Sequence, residues 1–174
     1  MKEEKYSCFI RVLHWLMSFT IIAMIALGWY MVDLGGKDPF KWELYKFHKT
    51  FGLILFVLFF ARTYARFKSH IPSYPDSFSK SIVMAAKLVH KLLYGFMLIV
   101  PLSGILMSTL GGYGLVFFNY KLPNVMPVEK ALAGEAHEIH VYTAYALFAV
   151  IAIHILGSLK HIIIDKFNIL KRMA

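Results

Sequence analysis

The sequence predicts an all-α membrane protein, a bundle of four transmembrane helices with both the N- and the C-terminus in the cytoplasm. Three observations carry that reading. The chain is 59% apolar, above the roughly 45–50% of soluble domains, with a mean hydropathy of +0.60. Long stretches carry no formal charge, and Lys and Arg are shared unevenly between the segments that join them.

The elements follow in order. Val12 to Val32 contains no Asp, Glu, Lys or Arg and meets the requirement of about 20 apolar residues for a span. It is too long for the core of a secretory signal and no small-residue cleavage site follows, so it is expected to be a retained helix. The second span is weaker, because only Thr50 to Ala61 is free of charge. It crosses if Lys46, Lys49, Arg62 and Arg66 extend toward the interfaces. Leu92 to Tyr120 supplies the third, with Pro101 removing a backbone donor and expected to kink it, and Ser103 and Gly104 permitting close approach. Ile139 to Leu159 supplies the fourth. The expected helices cover roughly residues 9–33, 43–67, 83–110 and 135–163 of a single domain, 1–174. Trp15, Trp29, Tyr30 and Trp42 fall near helix ends, where an interfacial aromatic belt belongs.

Charge orients the bundle. With a cytoplasmic N-terminus the inner side holds thirteen Lys and Arg against four acids, and the outer side six against six, for net charges of +9 and zero. The inner set includes Lys2, Lys5 and Arg11, the outer one Lys37, Lys41, Lys46 and Lys49, and the acids Glu3, Glu4 and Asp76 count on the inner side. A positive-inside bias of this size places both termini in the cytoplasm. The basic residues follow the membrane edges rather than one readable element, which excludes nucleic acid as the partner and makes lipid the expected surroundings.

Four of the eight histidines, His14, His48, His140 and His154, sit near the ends of these segments. His140 and His154 are fourteen residues apart, an advance of roughly 21 Å that returns within roughly 40° of the same helix face. In the predicted topology His14 shares the inner level with His154, and His48 the outer level with His140. Imidazole is a haem-iron ligand and ionisable groups in lipid are functional by default, so the residues themselves point to two stacked haems. With one cysteine, Cys8, and no Cys-x-x-Cys-His, any haem is b-type.

Spacing selects His140 over His137, because seventeen residues from His154 rotate His137 about 100° off the ligand face. His161, roughly 31 Å from His140 along the helix, is expected at the inner interface, and His70 in a solvated loop. His90 has no partner at equal depth once the pairs are made, and is expected to be interfacial or structural, with a role toward quinone or protons as its alternative. Arg11, Arg62 or Arg66 inside, and Lys46 or Lys49 outside, are candidates to hold haem propionates. The loop from Gly111 to Gly134, with Tyr113, Phe117, Phe118 and Tyr120, is expected either to cover the outer haem edge or to be a re-entrant connector.

The residues also carry a resemblance. Tyr6-Ser7 with Arg11-Val-Leu-His14-Trp15, then Phe47-His48-Lys49-Thr50-Phe51-Gly52, then His90 followed by Pro101-Leu102-Ser103-Gly104, and Glu135-Ala-His-Glu-Ile-His140 with His154 resemble the bacterial cytochrome b561 family over nearly the whole chain. The resemblance implies a four-helix inner-membrane bundle with two b haems, axial ligands from helices 1, 2 and 4, and electron transfer between a periplasmic donor and ubiquinone or another membrane quinone. One activity known in that family is superoxide oxidation coupled to quinone reduction. The family also contains cytochrome b subunits of hydrogenase and formate dehydrogenase complexes, so an electron-carrier subunit of a larger respiratory enzyme is the alternative. A homodimer is compatible with either reading.

Two bis-histidine irons leave no open coordination position, so the expected role is an outer-sphere electron conduit whose ligands and burial set the potentials. A basic patch of Lys41, Lys46 and Lys49 is expected to draw an anionic donor such as superoxide to the outer edge. A haemless transporter is the third class, and the chain lacks the paired broken helices that mark one.

Overall fold

A computed structural model describes residues 5–75 and 78–173. Lys2, Glu3, Glu4 and Asp76, which enter the charge asymmetry, lie outside the described residues. Helices α1 (Cys8–Asp33), α2 (Pro39–Lys68), α3 (Lys80–Leu110) and α4 (Lys130–Ile163) are each long and apolar enough to cross a membrane. Between α3 and α4 stands a short antiparallel hairpin, β1 (Val116–Phe117) with β2 (Tyr120–Lys121), and the chain closes with a 3₁₀ turn at Ile169–Arg172.

Capping chemistry sets most of the helix starts. The Ser7 hydroxyl accepts from Ile10 N, the Asp38 carboxylate accepts from Phe40 N across 2.9 Å with Pro39 next to it, and the Ser79 hydroxyl accepts from Ile82 N. Each satisfies an orphan donor of a first turn, and Pro39 has no donor to satisfy. Capping starts α2 at residue 39 rather than 43 and α3 at 80 rather than 83; α1 begins at 8 rather than 9, and α4, which has no side-chain cap, at 130 rather than 135. Each added segment carries a lysine, Lys41, Lys80 or Lys130, and so lies outside the charge-free run that places the span. Helix α3 continues as a helix through Pro101.

The surface is apolar as a lipid-facing surface must be, with Phe19, Val57, Leu156 and many similar side chains exposed. Buried residues line the inside: Ile10, Leu13 and Met17 of α1, Leu44 and Phe59 of α2, Leu110 of α3, and Ala136, Leu147 and Val150 of α4. Helix α3 packs most extensively on α4, and α1 on α2, whereas α1 and α4 scarcely touch. The bundle is thus two helix pairs, with space for chemistry between them.

Both ends of the described chain meet at one end of the bundle, the terminal end. Tyr6 N donates to the Arg172 carbonyl (3.1 Å), Trp15 Nε1 to the Met173 carbonyl (2.9 Å) and Arg172 Nη1 to the Ser73 carbonyl (2.6 Å). At the opposite, loop end the hairpin is fastened to α2. Phe118 N donates to Thr50 Oγ1 (2.8 Å) and Lys49 Nζ to the Gly114 carbonyl (3.0 Å), and Thr50 is completely buried. The long loop is therefore a structured hairpin clasped to α2.

Candidate functional site

The fold brings the four candidate histidines together as two pairs. At the terminal end His14 of α1 faces His154 of α4, with ring centroids 6.3 Å apart and planes at 82°. At the loop end His48 of α2 faces His140 of α4 at 6.1 Å and 79°. Each pair crosses from one half of the bundle to the other. Two imidazoles binding one metal through Nε2 from opposite sides, at the ~2.0–2.1 Å usual for imidazole nitrogen, have centroids roughly 6.4 Å apart. Both pairs fit that spacing. Among the described residues no group of three or more His, Cys, Asp or Glu is placed to hold a bare ion. The donor set suits a metal whose remaining ligands come from a macrocycle.

The loop-end pair is set for ligation in detail. His140 Nδ1 lies 2.8 Å from the Val100 carbonyl, an atom that can only accept, so the ring proton sits on Nδ1 and Nε2 keeps its lone pair. Ser103 Oγ lies 3.4 Å from the same nitrogen and donates to the carbonyls of Ile99 and Val100. Gly104 makes room for the ring, since a Cβ there would stand 3.1 Å from His140 Cε1. On α1, Gly28 faces His48, where a Cβ would stand 3.5 Å from Cε1. Gly28 is fourteen residues beyond His14, so the spacing that aligns His140 with His154 also predicts its face. That signal was available in the sequence and went unread.

The terminal-end pair has cationic company. Arg62 Nη2 lies 3.0 Å from His14 Nδ1, and a guanidinium has no acceptor, so His14 accepts. Trp15 stands edge-on to His14 at 5.3 Å, and the Arg66 guanidinium lies 5.7 Å from the Tyr94 ring centroid. Arg11 is half-buried one turn before His14. His90 lies at the same level. Its ring lies 5.4 Å from that of His154, a member of the pair already made, because α3 packs along α4 and brings a third imidazole beside it.

The remaining candidates separate clearly. His137 is turned outward, its side chain 57% exposed and 3.8 Å from Glu138. His161 bonds Asp165 across 2.6 Å and stacks on Phe78 at the terminal end, and His70 is exposed in the loop after α2. Lys46 pairs with Glu43 at 2.7 Å, Lys49 bonds the hairpin, and Lys41 Nζ donates to the Leu34 carbonyl at 2.6 Å. Cys8 is exposed and free.

Four apolar helices enclosing two opposed imidazole pairs define a class, the multi-pass membrane cytochromes of b type. The family model for prokaryotic cytochrome b561 matches residues 5–174, and the chain belongs to that family. It is 30% identical over 171 residues to cytochrome b561 homolog 2 of Escherichia coli K12, covering 98% of this chain and 91% of that protein. It is 26% identical over 173 residues to the probable superoxide oxidase CybB of Yersinia pestis, covering 98% and 96%. It is 30% identical over 168 residues to cytochrome b561 homolog 1 of E. coli K12, covering 92% of each. Membership makes this a multi-pass inner-membrane electron-transfer protein of a quinone-linked, haem b family.

Proposed function

We propose that the chain carries electrons between a periplasmic donor and membrane quinone through two b haems, one at each imidazole pair, with the terminal end in the cytoplasm. The observation that carries the reading is the pair of cross-bundle imidazole spacings, 6.3 and 6.1 Å, each suited to one metal between two rings. Bound haem supplies a one-electron iron couple. The chain's own residues bind, orient and shield it. His14 with His154 and His48 with His140 are the residues that would hold the haem irons, and Val100 fixes the tautomer of His140. Arg62 and Arg11 at the terminal end, and Lys49 at the loop end, are the proposed partners of haem carboxylates.

Superoxide is the proposed donor. The Yersinia relative bears that activity in its name, and the loop end keeps uncompensated charge. Lys41 and Lys49 bond neutral carbonyls, which hold an ammonium without cancelling it, whereas Lys46 is balanced by Glu43. Purified protein should hold two haems per chain by its dithionite-reduced spectrum. Its reduction by superoxide should slow as salt rises. A ratio near one removes the two-haem reading, and a salt-independent rate removes the steering role.

A further inference from the structure

We propose that Arg62 sets the potential of the terminal-end site, holding it above that of the loop-end site. The inference rests on the two-haem reading and concerns what separates the two sites.

The asymmetry lies in fixed charge. Arg62 places a guanidinium, charged at any physiological pH, 3.0 Å from an imidazole of the terminal-end pair. Its Nε is buried without a hydrogen bond, and Arg66 follows one helical turn later beside Tyr94. At the loop end, among the described residues, neither His48 nor His140 bonds a charged side chain. His140 is held by Val100 and Ser103, and His48 Nδ1 is buried without a partner. Of the nearby lysines, Lys46 is balanced by Glu43, and Lys49 keeps its charge but spends its hydrogen bond on the Gly114 carbonyl rather than on a ring of the pair.

A haem held there would supply a one-electron couple whose reduced form carries one positive charge fewer, with no bond made or broken. A fixed cation nearby therefore favours the reduced form, and more strongly in the weakly screening interior of a bundle than in water. Arg62 exerts this effect whether or not it keeps its hydrogen bond. With Nε2 holding a metal, Nδ1 would carry the ring proton and no longer accept, yet Arg62 would still carry its charge on α2 close to the pair. The terminal-end site becomes the electron sink of the two.

Spectroelectrochemical titration of the purified full-length holoprotein tests this. Two midpoints are expected, and the higher one should vanish in His14→Ala. Arg62→Gln should lower the higher midpoint and leave the lower one in place, while Arg62→Lys, which keeps the charge and loses the planar fork, should restore most of the separation. The proposal is overturned if Arg62→Gln moves neither midpoint or both equally, or if His14→Ala removes the lower one. Should Arg62→Gln bind a single haem, Arg62→Lys carries the test, and a fall of its higher midpoint to the loop-end value overturns the proposal. A haem-to-protein ratio near one in the unaltered protein overturns the two-haem reading itself, before any potential is read.

Discussion

His140 Nδ1 donates to the Val100 carbonyl across 2.8 Å, tying the imidazole of one helix to the turn of another just ahead of Pro101. The bond crosses the interface of α3 and α4, the most extensively packed pair in the bundle. It holds the ring in the tautomer a metal requires, as partners behind ligating histidines commonly do. Replacing His140 with Ala should halve the haem content and leave the terminal-end haem with its low-spin signal. Pyridine haemochrome assay with electron paramagnetic resonance measures both.

His137 provides the matched control. It lies three residues earlier on the same helix but points outward, so His137→Ala should retain two haems and both signals. Loss of a haem in this variant would show that the choice of His140 is wrong.

Gly104 tests how closely the loop-end ring is fitted. A Cβ would stand 3.1 Å from Cε1 and 3.2 Å from Nδ1 of His140, nearer than an imidazole accepts without moving. Gly104→Ala should shift the g-values of the loop-end signal by displacing the ring slightly. Gly104→Val should deplete that haem, and the terminal-end signal should be unchanged in both.

Thr50 holds the loop end closed. Its hydroxyl accepts from Phe118 N, a residue at φ 52 in the hairpin turn, where a side chain is strained and glycine is preferred. Thr50→Val keeps the shape and removes the acceptor, losing a hydrogen bond worth about 0.5–1.5 kcal/mol. The variant should melt earlier in detergent and be cut sooner by protease within residues 113–121.

Asp165 gives the terminal end a pH dependence. Hydrogen bonds from Lys160 and His161 hold its carboxyl below the usual aspartate range. A carboxylate lowered in the folded state stabilises fully above its unfolded value of ~3.9, and the contribution fades as pH falls through the lowered value. Amide protection factors in residues 164–173, taken relative to the intrinsic rate at each pH, should therefore fall on acidification toward and below that value. Asp165→Asn should show lowered protection factors already at neutral pH.

The spans were legible because each contains a run without formal charge that water would not tolerate, and the two histidine pairs because depth along a helix is simple arithmetic. Helix starts were legible in principle and misread, since Asp38-Pro39 and Ser79 are cap signals lying outside the apolar runs used to place the boundaries. His90 was beyond a reading by depth alone. Depth gives the level of a residue, and its neighbour is decided by the lateral packing of α3 on α4. The hairpin was hidden for another reason. Phe118 takes a backbone conformation that Phe disfavours, and what holds it there is a hydroxyl 68 residues away in sequence.

Helix α4 gives one imidazole to each pair, and it is the last helix in chain order. During synthesis the first three helices can enter the bilayer carrying His14, His48 and His90, yet neither cross-bundle pair exists before α4 arrives. A nascent or truncated chain ending before residue 140 can therefore clamp nothing between two histidines of these pairs, and one ending between 140 and 154 completes only the loop-end pair. Possession of both pairs therefore reports that α1, α2 and α4 have come together.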